Sequence, residues 1–401
     1  MTNLPQGWKM ETLGEILSSD KYSIKRGPFG SALKKSFFVE KGIRIFEQYN
    51  PINNDPHWKR YFISHEKFQE LEAFKATEGD LLISCSGTLG KIVELPKDTE
   101  MGIINQALLK IRLNNIKILN SYFIYYFNSP IMQEKILEST LGSAIKNIAS
   151  VKILKQIEIP LPPLKEQERI VGILDESFAK IDESIKILEQ NLLNLDELMQ
   201  SALQKAFNPL KDNAKENYKL PQSWEWKSLE EISENISAGG DKPKNCTESK
   251  TAKNQIPVYA NGVNNGLVGY TDKATIIKPS LTISARGTIG FVCIRKEPYF
   301  PIVRLISLIP CENILCLHYL YFCLNFFIAK GEGSSIPQLT IPKFKSLQIP
   351  LPPLKEQEQI AKHLDFVFEK TKALKELYTK ELKDYEELKQ SLLNKAFKGE
   401  L

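Results

Sequence analysis

LPPLKEQE occupies Leu161–Glu168, and the same eight letters return at Leu351–Glu358, 190 residues later. The offset then holds for about forty residues more. LMQSALQKAF, ending at Phe207, answers LKQSLLNKAF, ending at Phe397. A shared offset with no insertion or deletion marks a rigid element whose length matters, and its chemistry says which element. Pro162 and Pro163 cannot sit inside a helix but suit its start, where a missing N–H costs nothing. Glu166 and Glu168 then fall in the first turns, where negative charge complements the helix dipole. Beyond them run Val171, Leu174, Phe178, Ile181, Ile185, Leu188, Leu192, Leu195, Met199, Ala202 and Ala206, in alternating steps of three and four. That is a coiled-coil seam. Taken from Leu164 to Phe207, the helix would extend roughly 66 Å at 1.5 Å per residue. The second copy keeps the phase at Leu364, Phe368, Tyr378, Leu382, Tyr385 and Leu392, with Lys375 and Lys389 in seam positions. Two long helices of matched length most simply pack on each other, since the stretch between them is too long for a bundle loop.

The repeat reaches beyond the helices. LPQGWKMETLGEI at Leu4 answers LPQSWEWKSLEEI at Leu220, and ISCSGTLGKIVEL at Ile83 answers ISARGTIGFVCIR at Ile283. SYFIYYFNS at Ser121 answers HYLYFCLNF at His318, and GSAIKNI at Gly142 answers GSSIPQL at Gly333. These offsets drift from 216 through 200 and 197 to 191 before settling at 190. The helices are therefore constant, while the globular segments before them vary in loop length. The expected architecture is α+β: two mixed heads joined and spaced by two long coiled-coil helices. Its segments are 1–160 (first head), 161–210 (first helix), 211–350 (second head) and 351–401 (second helix). Short β-rich runs at Leu81–Ser84, Lys91–Leu95, Leu281–Ser284 and Phe291–Ile294 are punctuated by Gly-Thr turns. Helices are expected near Ser121–Phe127 and Leu317–Phe327. The polar stretch NPLKDNAKENYK, Asn208–Lys219, reads as the linker between halves.

The totals exclude several classes. A chain of 401 residues is too long for one core. With 42% hydrophobic and 25% charged residues it is globular in type, and a net charge of +5 permits an acidic partner. Six cysteines without a CxxC pair, and only four histidines, argue against a zinc site. MTNLPQGWKM lacks the apolar core of a signal peptide, and the most apolar run, Leu315–Ile328, is too short to span a bilayer. A cytoplasmic protein with no membrane partner is expected. SGTLGK has the wrong glycine spacing for a phosphate-binding loop. No dinucleotide fingerprint, adenine-methyltransferase motif or nucleophile–base pair is apparent.

What remains is chemistry suited to nucleic acid. Between Lys21 and Arg60 stand nine Lys or Arg against three acids. The stretch includes Lys25, Arg26, Ser31, Lys34, Lys35, Lys59 and Arg60, together with Gln48 and Asn50. Lys and Arg neutralise phosphates, and Arg, Asn and Gln pair with base edges. The bland alternative is a solvated basic loop. In the second half, Asn261, Asn264 and Asn265 lie in YANGVNNGLVGY, as base readers or plain turn residues. Arg286 sits at a glycine turn where the first half has Ser86. The aromatic run Tyr122, Phe123, Tyr125, Tyr126 and Phe127 could stack bases, although a helical setting favours core packing.

Taken together, the duplicated IPLPPLKEQE, the SALQKAF and SLLNKAF helix ends, the LPQGW and LPQSW starts and the GTLG and GTIG turns resemble the specificity subunits of type I restriction–modification systems, over essentially the whole chain. The resemblance implies two target recognition domains, each reading one half of an asymmetric bipartite site in double-stranded DNA. It implies antiparallel helices that fix the spacing and dock two methyltransferase subunits, and restriction subunits in some complexes. Leu164, Glu166, Leu354, Glu356, Lys375 and Lys389 are then candidate partner-facing residues, the last two because they make the second seam polar. The resemblance also implies a subunit with no catalytic residues, metal or cofactor of its own. S-adenosylmethionine, and ATP with Mg, would be bound by partner subunits. A protein-binding scaffold and a lone nuclease or methyltransferase are the alternatives from other classes.

Overall fold

The computed structural model describes residues 4–138, 148, 150–207, 220–262, 265–328, 331–332 and 339–401. The expected linker 208–219, Asn264, and nearly all of GSAIKNI and GSSIPQL lie outside them. The chain divides into two compact units, residues 1–188 with 380–401, and residues 189–379. Two helices, Leu164–Phe207 and Leu354–Lys398, run through both. Each unit therefore owns the first half of one helix and the second half of the other.

Each unit opens with a strand that pairs with the residues just ahead of its long helix. In the first unit Lys9–Thr12 lies antiparallel to Glu158–Leu161, with Lys9 opposite Leu161. In the second, Glu225–Ser228 pairs with Gln348–Leu351, with Glu225 opposite Leu351. Pro162-Pro163 and Pro352-Pro353 then end the strand, and the helix begins one residue later, so the duplicated octapeptide is a strand-to-helix joint. Its glutamine is fully buried in both copies. Gln167 Nε2 donates to Lys117 O and Pro162 O, and its Oε1 accepts from Leu119 N, all at 2.9 Å. Gln357 repeats this set with Ile314 O, Pro352 O and Cys316 N. One amide thus fastens the joint to the loop that leads into the aromatic helix.

Behind the joint stands a four-stranded antiparallel sheet of the same order in both units. The first runs Ile24–Arg26, Leu108–Ile111, Leu81–Ser84, Ile92–Glu94. The second runs Ser233–Ala238, Ile306–Pro310, Ser280–Ile283, Val292–Arg295. The expected β runs all fall on these strands, within a residue at each end. The glycine turns need positive φ: 69° at both Gly87 and Gly90, and 71° and 83° at Gly287 and Gly290. The helices Asn120–Asn128 and Leu317–Phe327 cover the sheets. Tyr122, Phe123, Tyr126 and Phe127 are buried, and the Tyr122 and Tyr126 hydroxyls donate to Pro160 O and Glu158 O. The aromatic run is core, not a stacking platform.

The KAF ends complete those cores. Phe397 meets Tyr122 and Tyr126 edge-on, at 5.3 and 5.1 Å, in the first unit. Phe207 does the same to Tyr319 at 5.5 Å in the second. Each helix therefore starts on the head before it and ends in the core of the other, which requires the halves sharing a unit to run antiparallel. Along the first helix Leu174, Ile181, Leu188 and Leu195 are buried, and the intervening seam residues are half-buried. The seam lysines bridge the pair: Lys389 Nζ reaches Asp182 at 2.5 Å, and Lys375 pairs with Asp196. Each of these ion pairs lies within one unit.

The heads differ in what they insert after the first strand of the sheet. The first adds a five-stranded sheet, Phe38–Val39, Phe62–Ile63, Ile43–Phe46, Gly102–Ile104 and Lys75–Ala76 in spatial order. The second adds a three-stranded one, Leu267–Thr271, Ile256–Tyr259 and Phe300–Pro301. The excursions leave and rejoin at close backbone approaches. A Cβ at Gly27 would lie 1.7 Å from Asn105 O, and one at Gly239 would lie 2.6 Å from Ile302 N.

Candidate nucleic-acid interface

The first insert carries the basic stretch. Lys25 lies on the strand Ile24–Arg26, opposite Lys110, with its ammonium 5.4 and 5.1 Å from the Tyr22 and Phe74 rings. The Arg26 guanidinium lies 5.7 Å from the ring of Phe29. Ser31, Lys34 and Lys35 follow, exposed on short turns. Lys59 is paired with Glu100 at 3.0 Å, and Arg60 lies over Tyr61. The strand beneath is anchored by a charge network. Arg112 grips the buried Asp80 with two hydrogen bonds, 2.7 and 2.8 Å, and reaches Asp20 at 2.9 Å. Lys110 donates to Lys75 O, and burial holds its pKa below the usual lysine range. Asp20, Lys21, Tyr22, Lys75, Lys110 and Arg112 line a concavity of about 360 Å³ beside Lys25.

Several expected readers are placed differently. Asn50 is fully buried: its Oδ1 accepts from Glu47 N, and its Nδ2 donates to Asp55 O and Trp58 O. The amide shapes the 47–58 loop and is not free for a base edge, which corrects the expectation. Gln48 is half-buried, and its Oε1 has no hydrogen-bond partner among the described residues. Asn261 is likewise used inside the second head, donating to Val303 O and accepting from Ala285 N. Asn265, at φ 62°, turns the hairpin and holds Arg295 through both its side chain and its carbonyl. Arg295 is itself buried, stacked 3.6 Å from the Tyr259 ring centroid. Both asparagines thus have a structural role in the insert, Asn261 half-buried and Asn265 exposed. Arg286 is partly exposed beside a small cavity.

On the helices, Leu164 and Leu354 are half-buried, Glu166 pairs with Arg169 at 2.8 Å, and Glu356 accepts from Trp224 Nε1. Lys375 and Lys389 are engaged within the helix pair, so the polar seam is a set of internal ion pairs. Sequence reasoning missed three kinds of residue. Gln167 and Gln357 look like solvated helix residues. Phe29, flanked by Pro28 and Gly30, is 68% exposed beside Arg26, a position open to stacking on a base. Arg304 stands in no motif. Among the described residues no group of His, Cys, Asp or Glu is arranged to hold a metal ion, and no helix is long and apolar enough to cross a membrane.

With this geometry in hand, the class is defined by comparison. The type I restriction modification DNA specificity domain matches the chain twice, over residues 5–193 and 221–384, and the chain belongs to that family. A Mycoplasma pneumoniae protein named as a type I specificity subunit is 33% identical over 221 residues, 53% of this chain and 56% of that protein. The match thus spans about half the length of that relative. A solved chain described with the complex assembly and conformational transition of the type I R-M system superposes over the full length of both, with a TM-score of 0.81 at 20% identity. The HsdS subunit from Thermoanaerobacter tengcongensis gives 0.64 at 20% identity, covering 99% of this chain and 98% of that one. At those identities the structural likeness establishes the fold.

Proposed function

We propose that this chain is the DNA sequence-specificity subunit of a type I restriction–modification complex. Each head reads one half of an asymmetric bipartite target, and the helix pair sets the distance between half-sites. The same helices dock two methyltransferase subunits, near Leu164, Glu166, Leu354 and Glu356, and restriction subunits join where the system has them. The chain performs no catalysis and binds no cofactor. S-adenosylmethionine, and ATP with Mg, belong to its partners, and the complex works in the cytoplasm. One observation carries this reading: a single framework occurs twice at fixed helix length, with a different insert in each copy. Such a design holds two unlike readers on a common spacer. In the first head Lys25, Arg26, Lys34 and Lys35 supply phosphate contacts while Gln48 and Phe29 approach bases.

The test is co-expression with the cognate methyltransferase subunit, and then mapping of methyladenine across the host genome. An interrupted motif with two unlike halves is expected, and the purified chain alone should bind duplex DNA in a salt-dependent way. Methylation by the chain alone, or salt-independent behaviour with no DNA affinity, would contradict the proposal.

A further inference from the structure

Arg286 and Arg304 of the second head line one cavity of about 160 Å³, together with Ala238, Ala285, Ile306 and Thr340. Among the described residues neither guanidinium has a carboxylate partner. Arg304 is held in a costly conformation. Val303 and Arg304 have φ of 52° and 58°, two consecutive non-glycine residues in the left-handed region, the first of them β-branched. Such residues persist where their surroundings over-determine them, and they cluster at sites with a task. Here the surroundings are specific. Val303 N donates to Gly240 O at 2.8 Å and Arg304 N to Gly239 O at 2.9 Å. Asn261 joins Val303 O, at 2.6 Å, to Ala285 N, at 2.8 Å. That amide ties the strained turn to the residue preceding Arg286.

The first head supplies an internal control. Gly27 N donates to Leu108 O and Leu108 N to Asn105 O there, as Gly239 N does to Leu305 O and Leu305 N to Ile302 O here. These bonds match Arg304 to Ala107, and the turn motifs match Arg286 to Ser86. Ala107 is not at positive φ. The two arginines and the strain are thus present together in one head, whereas the other has Ser86 and Ala107 without strain and a single arginine, Arg26, at the position matching Ala238.

We propose that Arg286 and Arg304 jointly hold one DNA backbone phosphate; this rests on the DNA-reading role proposed above. Two like charges on a small concavity repel each other until an anion joins them, and the guanidinium fork matches phosphate oxygens. Reading a base edge would need only one guanidinium. Asn261 is the positioning residue.

Glycine accepts a φ of 58° freely, so R304G removes the charge while relaxing the turn. The full chain, R286A, R304G and the double variant are titrated with the mapped target duplex and an unrelated duplex over a range of salt. Amide exchange in the second unit should be no faster in R304G than in the parent. Each single variant should bind both duplexes about tenfold more weakly, with a salt slope smaller by about one. The double variant should lose less than the two singles combined, because they share one ligand. Parent-like binding by R304G, or a loss confined to preference at one base pair, would overturn the phosphate assignment alone. Absence of salt-dependent binding by the parent would sink the assignment together with the reading beneath it.

Discussion

Replacing Gln167 with Met keeps the volume of the side chain at the strand-to-helix joint but removes its three hydrogen bonds. Leu119 N, Lys117 O and Pro162 O each lose a partner at 2.9 Å, next to a side chain with no exposed surface. A buried backbone group left unpaired costs about 1–3 kcal/mol. Some recovery by water at the partly buried Leu119 and Lys117 positions brings the total to roughly 3–5 kcal/mol, a large share of a domain's stability. Gln357→Met should cost as much in the second unit. A chain with two units does not unfold in one step, so a global midpoint is the wrong readout. Amide hydrogen exchange by peptide resolves the units separately. Gln167→Met should accelerate exchange across Lys117–Asn128 and leave Ile314–Phe327 at parent rates, with the reverse for Gln357→Met. A change below about 1 kcal/mol in the local peptides would refute the idea that this amide locks the joint.

Phe397→Ala removes a buried ring packed on Tyr122 and Tyr126, and should cost about 3–5 kcal/mol, read by exchange in the first unit. Phe207→Ala should do the same in the second. Replacing Lys375 and Lys389 with Met should change stability by no more than about 1 kcal/mol, since their Asp196 and Asp182 partners stay solvated. If these lysines also dock methyltransferase subunits, co-purification of those subunits should fall, and full retention would exclude that role. Burial pushes the Glu47 carboxyl pKa up. Its folded value lies above the unfolded one, so its stabilising contribution is present at low pH and is lost as pH rises through the folded value. Glu47→Gln should therefore slow amide exchange in the first unit at pH 7 and lose that advantage near pH 4, the ordinary glutamate range.

The long helices, their starts and two strands of each four-stranded sheet were legible because their signals are local and said twice, whereas the strands that pair ahead of the helices were not read. Pro-Pro fixes the helix start, and the three-four spacing fixes the buried face. The aromatic helices were legible as core for the same reason. The destinations of Phe207 and Phe397 were not, because a terminal phenylalanine carries no record of which core receives it. Exposure was legible where charge decides it, as at Lys34 and Lys35. Asparagine is ambiguous: the amide that could read adenine also closes turns, and at Asn50, Asn261 and Asn265 the turns use it. Arg304 did not stand out because neither its backbone angle nor the cavity it shares with Arg286 leaves a mark in the sequence.

The claim that one rigid spacer carries two readers is tested most directly by lengthening the spacer. Four residues inserted into the middle third of each long helix add about 6 Å and rotate the remainder of the helix by roughly 40° beyond a full turn. One base pair advances about 3.4 Å and turns roughly 36°. The rotation matches one added pair, the length approaches two, and local unwinding of the seam absorbs part of the difference. Methyladenine mapping of the inserted variant should show both half-sites unchanged, with one or two further unspecified base pairs between them. The parent spacing, or a change in either half-site, would contradict the division between reader and spacer.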